Sequence, residues 1–327
     1  MAFVSLITGS ASIGASDLFS SVLGQGSDFT NRIFFQIRMP RIIGAILAGT
    51  ALSVSGAIIQ SLLRNPLASP FTLGISGASA FGAAFAIIVF GAGSSYSGSN
   101  DLATINNPYI ITLSAFAWSL AGVFVILMLS RFKGAGPEII ILAGIIISSL
   151  FGAGISAMQY FADSVQLTSI IFWTFGDIGR AGWNNVLIIA AVVIPVVIFF
   201  ALQSWNYKAL QSGDEYAKSM GVDVKKVRLA GMVIASLATA VVVSFYGVIA
   251  FVGLVVPHII RRIIGNDEQF LIPASAVFGG FFLLASDTLA RTIIAPVVLP
   301  VGILTSFLGA PLFLFLLIKG MQKSYWN

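Results

Sequence analysis

Cysteine is absent from the sequence, which excludes a disulfide framework and any thiolate metal site. Histidine occurs once, at His258, so no multi-histidine metal cluster can form and the ring reads as a packed structural residue. Charge is equally scarce. Asp, Glu, Lys and Arg make up 9 % of 327 residues, against about 25 % in a soluble domain, whose surface must be solvated. No paired carboxylates, nucleophile–base set or metal-ligand spacing marks an enzyme, and no cofactor is expected. What remains is apolar: 57 % hydrophobic residues and a mean hydropathy of +0.99. Such a chain faces lipid or its own apolar helices.

A helix needs about 20 apolar residues to cross the hydrocarbon core. That ruler predicts nine spans, at 42–63, 71–90, 109–129, 139–160, 186–202, 229–245, 248–264, 271–289 and 302–318. Residues 1–9 resemble the tail end of another span and carry no basic n-region or cleavage site of a signal peptide. The expected fold is therefore an all-α polytopic bundle of nine to ten transmembrane helices, with the first helix truncated. It forms one domain over residues 1–327.

The net charge of +5 is no nucleic-acid signal, because the charges sit in short clusters between apolar runs. Alternation of the spans puts Arg64, Arg131, Lys133, Lys208, Lys218, Lys225, Lys226, Arg228, Arg261, Arg262, Lys319 and Lys323 on one side. Arg32, Arg38, Arg41, Arg180 and Arg291 fall on the other. The richer side is expected to be cytoplasmic. The largest cytoplasmic loop is then 203–228, a solvated linker or a docking surface. Its Lys218-Ser219 fails the phosphate-loop pattern, since Ser212 and Ala217 stand where that pattern needs glycine. Energy for transport must come from a partner or a gradient.

Two spans share a spacing. Arg41, Gly44, Ala48 and Ala51 repeat as Arg228, Gly231, Ala235 and Ala238. Each set falls on one helical face, and small residues there permit close packing. One set enters from outside and the other from inside, as inverted repeats would; glycine and alanine are also common enough here for chance to give the pattern.

Five stretches carry a family resemblance: 37–41 (IRMPR), 60–74 (QSLLRNPLASPFTLG), 247–261 (GVIAFVGLVVPHIIR), 287–291 (DTLAR) and 299–317 (LPVGILTSFLGAPLFLFLL). Together they resemble the vitamin B12 and iron-siderophore permease family, the type II ABC importers. The resemblance implies ten helices per subunit, pairing with a second permease subunit as a homodimer or with a close paralogue, two cytoplasmic ABC ATPase subunits, and an extracytoplasmic binding protein. It implies a prokaryotic cell membrane and substrates such as ferric siderophores, haem, cobalamin or oxyanions. Iron chelates are expected first.

The resemblance also assigns residues. Arg38, Arg41 and Arg291 become a docking ring for acidic groups of the binding protein; snorkelling, or for Arg291 an i,i+4 pair with Asp287, is the structural alternative. Gly213, Asp214, Glu215, Ala217 and Gly221 lie in the stretch that resembles the ATPase coupling segment. There Ala217 and Gly221 would form a small packing face, with Asp214, Glu215 and Lys218 solvated. Pro137 and Glu138 align with the cytoplasmic constriction, although helix capping also explains the carboxylate. Asn65, Pro66 and Pro70 break a helix beside the path or simply make a turn. A secondary transporter would need membrane-buried carboxylates, and the only well-placed acid is Asp287, matched by Arg291.

Overall fold

Long apolar runs without water force every backbone polar group into internal hydrogen bonds, and helices satisfy that requirement. The computed structural model describes residues 1–8, 20–21, 26–92, 108–130 and 137–320, and these contain helices and no strands. A short helix α1 (Ala2–Ile7) precedes α2, which runs over Asp28–Leu63. Then come α3 (Ile75–Val89), α4 (Pro108–Ser130), α5 (Pro137–Phe161), α6 (Ser164–Thr174) and α7 (Trp183–Leu202). Two short helices follow, α8 (Ser204–Gln211) and α9 (Asp214–Ser219). The chain closes with α10 (Val224–Tyr246), α11 (Val252–Ile264), α12 (Glu268–Thr292) and α13 (Val301–Gly320).

Six helices are long and apolar enough to cross a membrane: α2, α4, α5, α7, α10 and α12. Two further apolar helices, α3 with 15 residues and α13 with 20, answer to the expected runs 71–90 and 302–318. The expected span 248–264 is different. Its helix α11 has 13 residues, about 20 Å of rise against a hydrocarbon core of about 30 Å. Among the described residues, at least six of the nine expected runs are thus met by helices of full crossing length. Helix α11 is short because the chain breaks between α10 and α11, where Gly247 (φ 78°) and Phe251 (φ 67°) turn it out of helix. Gly247 and Ile249 are buried there, which is how irregular backbone survives at membrane depth.

Helix α2 is the centre, packed by α7, α10, α11 and α12. Its residues 33–38 form a wider π turn just before Pro40, whose ring and missing N–H disrupt the regular bond to Gln36. Small residues let the backbones touch. A Cβ added to Gly56 would lie 1.7 Å from the Gly253 carbonyl oxygen of α11. Ser53 Oγ donates to the Ser275 carbonyl of α12 at 2.6 Å, and Thr50 Oγ1 to that of Ala276 at 2.9 Å.

The sequence echo has a structural counterpart. Gly44, Ala48 and Ala51 of α2 and Gly231, Ala235 and Ala238 of α10 are all buried. Each glycine leaves room for a tyrosine hydroxyl: a Cβ on Gly44 would fall 2.5 Å from Tyr246 Oη, and one on Gly231 would fall 3.1 Å from Tyr207 Oη. Each arginine pairs with an aspartate, Arg41 with Asp287 and Arg228 with Asp214.

Candidate functional site

Polar side chains collect at the two ends of α2, whose stretch Met39–Leu63 separates them by about 35 Å at 1.5 Å per residue. At the first end, Asp287 of α12 has no exposed side-chain surface and serves two guanidiniums. Arg41 donates to it through Nε at 3.1 Å and Nη2 at 2.8 Å. Arg291, one helical turn on, donates through Nε at 3.1 Å. The i,i+4 pair is thus present, but Arg41 is the stronger partner. Arg291 also donates to Ser5 Oγ and to the Thr8 carbonyl at 3.2 Å. Arg38 donates to the carbonyls of Leu6 and Ile7 and lies over the Phe34 ring. The three arginines are therefore brought together, but as buried or half-buried members of the fold rather than as an open ring. Asp177 stands 3.6 Å from Arg41. Burial holds the nearby Arg180 guanidinium below its ordinary value.

At the other end lie α8 and α9. Gly213 (φ 118°) and Gly221 (φ 81°) bound α9, each in a conformation that favours glycine. The faces of α9 follow the expectation at Glu215 and Lys218, which are exposed, and depart from it at Gly221 and Asp214. Ala217 is fully buried against its own chain, and only Glu215, Tyr216, Lys218, Ser219, Met220 and Gly221 are exposed. Asp214 is not left to solvent either: Arg64 donates to it, and so does Arg228 at 3.0 Å. The reason is placement. Asp214 opens a helix wedged between the last turn of α2 and the first turn of α10, where two cations face it.

A buried network behind α8 escaped the sequence reading. Glu268, first residue of α12, is fully buried, and its Oε1 accepts from Ser61 of α2, Gln211 of α8 and Arg261 of α11. Arg261 Nη1 donates to Gln60 Oε1, and Gln60 Nε2 donates to the Leu254 carbonyl at 3.3 Å. Beside it, Lys208 Nζ donates to Asp267 at 2.6 Å, which holds that carboxyl below the usual carboxylate range. A hydropathy ruler begins the span at residue 271 and leaves Glu268 in a loop. The available signal was Arg261, seven residues earlier, since a guanidinium at a helix end needs an acceptor when buried.

Between these ends an apolar cavity of about 580 Å³ opens beside α13, walled by Phe71, Phe175, Val248, Ile303, Ser306 and Phe307. The break after α2 reaches it through Phe71 alone. Arg64 (φ 45°) ends that helix, the Asn65 N–H returns to the Gln60 carbonyl at 3.1 Å, and Asn65 Oδ1 accepts from the Leu67 N–H at 2.8 Å. Asn65 and Pro66 are half-buried in this helix stop, and Pro70 is buried against Gly253. Pro137 opens α5 with an exposed Glu138 in its first turn. Residues 131–136, with Arg131 and Lys133, and Lys323 lie outside the described residues. His258 is buried, its ring 6.0 Å from that of Phe313.

The model of the FecCD transport family matches residues 1–319. The chain belongs to the FecCD transport family. It is 54 % identical over 318 residues to an ABC transporter permease protein of Methanocaldococcus jannaschii, with 97 % of this chain and 90 % of that one covered. It is 39 % identical over 322 residues to the hemin transport system permease protein of Yersinia pestis, covering 98 % and 94 %. With the vitamin B12 import system permease protein of Vibrio vulnificus it shares 33 % over 319 residues, covering 98 % and 92 %. Its fold matches the solved structure of a metal-chelate type ABC transporter in an inward-facing conformation, with TM-score 0.80, 29 % identity and coverage of 93 % and 96 %. As a FecCD member the chain is a multi-pass permease subunit of an ABC importer, and ATP hydrolysis lies on a separate subunit.

Proposed function

We propose that this FecCD permease carries an iron chelate, such as a ferric siderophore, across the cell membrane of a prokaryote. The observation that carries the substrate class is the cavity beside α13. It is large, and its lining contains no charged side chain, which suits a bulky ligand with a masked charge and offers nothing to a bare ion. Relatives named for hemin, iron(3+)-hydroxamate and Fe(3+)-citrate support the same class. Haem is the second reading, favoured by the 39 % identity to the hemin permease; cobalamin is the third.

The chelate would arrive from an extracytoplasmic binding protein docked at the end that holds Arg38, Arg41 and Arg291. Around that site the described residues gather four guanidiniums, those of Arg38, Arg41, Arg180 and Arg291, and two carboxylates, Asp177 and Asp287. The surplus positive charge supports an acidic partner there. The ATPase would grip residues 203–228 on the cytoplasmic side through the exposed face of α9, with Gly213 and Gly221 setting its angle. A second permease subunit would close the path. Pro137 and Glu138 are assigned to its inner constriction, and Asn65, Pro66 and Pro70 to a helix stop that shapes its wall. A gradient-driven carrier is disfavoured because, among the described residues, the buried carboxylate within the expected spans, Asp287, is already held by Arg41 and Arg291.

Reconstitution with ATPase and binding protein tests the proposal. Vesicles should accumulate ferric hydroxamate or hemin only with ATP. Accumulation of cyanocobalamin alone overturns the substrate class, and uptake without ATP overturns the importer.

A further inference from the structure

Glu268 holds its three donors on a single oxygen. Ser61, Gln211 and Arg261 come from three different helices and converge on Oε1, while Oε2 is buried without a hydrogen-bond partner in the protein. The Nε of Arg261 is likewise buried and unpartnered, and its Nη2 reaches Oε1 only at 3.4 Å. A guanidinium and a carboxylate prefer two parallel hydrogen bonds, and the two atoms that would complete such a pair are the two left over. A second arrangement is therefore open to the network. In the present one, Gln211 and Ser61 hold the carboxylate. In the other, the carboxylate turns onto Arg261 and releases both.

What chooses between them is the position of α8. Its residues Lys208 and Gln211, one turn apart, dock on Asp267 and Glu268 at the start of α12. Helix α8 leads directly into α9, the proposed grip of the ATPase. A shift of 1–2 Å, about the size seen for helices at subunit interfaces, is enough to break the Gln211 bond, since a hydrogen bond is lost beyond about 3.5 Å. The far side of the network is the last turn of α2. Gln60 and Ser61 sit there, three or four residues before the left-handed cap at Arg64 and the segment whose Phe71 walls the cavity.

We propose that Glu268 is the positioning residue that passes movement of the coupling helices into α2 and α11, by exchanging Gln211 and Ser61 for a two-point pair with Arg261. This rests on the importer reading above. A two-state element biased from both sides is the physical requirement for such coupling.

The test uses the complete complex in proteoliposomes, wild type beside Glu268→Gln and Gln211→Ala. ATP hydrolysis is measured together with uptake of ferric hydroxamate, hemin and cyanocobalamin. Both variants should assemble and hydrolyse ATP, while uptake per ATP falls by about tenfold in Glu268→Gln and severalfold in Gln211→Ala. An anchor that merely holds the fold would lower hydrolysis and uptake together. A wild-type ratio in Gln211→Ala therefore overturns the proposal. That variant removes a neutral, half-buried side chain and leaves the buried ion pair intact, so it decides the matter even if Glu268→Gln does not assemble. Absence of ATP-driven uptake in the wild type strikes the importer reading instead.

Discussion

Asp287 answers two arginines from a site without solvent, and that makes it the most sensitive single position at the arginine end. Removing one partner of a buried ion pair leaves an uncompensated charge, at a cost of about 3 kcal/mol. Asp287→Asn keeps the shape and discards the charge, so thermal unfolding in detergent should show a clear loss of stability. Arg291→Met in the same chain should return part of it, because one orphaned cation disappears. Additive losses in that double variant would mean the three groups do not form a unit. Part of this site was legible in sequence. An i,i+4 spacing announces Arg291 with Asp287, but Arg41 lies 246 positions away from its acceptor, and only the packing of α2 on α12 joins them.

At the scale of elements, the apolar runs that became α2, α4, α5, α7, α10 and α12 were readable because length and hydropathy suffice to recognise a full crossing. The same ruler fails at 247–251. Gly247, Val248, Ile249, Ala250 and Phe251 are apolar throughout, so nothing in hydropathy separates a helix from the buried turn that cuts α11 short. It fails again for α9, where periodicity over six residues cannot say which face turns inward. The structure divides the small face expected there, burying Ala217 and exposing Gly221, and a pair of substitutions distinguishes an internal role for α9 from a docking one. Ala217→Trp should expel α9 from its seat on α10 and lower the yield of folded permease, since overpacking a filled core costs about 1–3 kcal/mol. Tyr216→Ala, on the exposed face, should leave folding intact and weaken ATPase capture, read by copurification of the two subunits. Equal loss of folding in both would return α9 to an internal role only.

For the molecule as a whole, α2 and α12 span the distance between two polar ends, and the charges divide between them. Arg64, Lys208, Arg228 and Arg261 gather with Asp214, Asp267 and Glu268 at one end. The other end keeps an excess of guanidinium around two carboxylates. Such a field acts on encounter more than on final affinity: it raises the association rate of an acidic partner and fades as salt screens it over about 10 Å. Arg38 is the place to test this, because it meets backbone carbonyls while Arg41 and Arg291 are committed to Asp287. Arg38→Gln keeps a donor for the Ile7 carbonyl and removes one charge. Surface binding measurements should show the binding protein associating severalfold more slowly at low salt, with dissociation little changed and the ATPase still bound. Raising the salt should bring the wild-type and variant rates together. Identical rates at low salt would mean that the buried arginines serve the fold alone, and the binding protein must then recognise this end by shape.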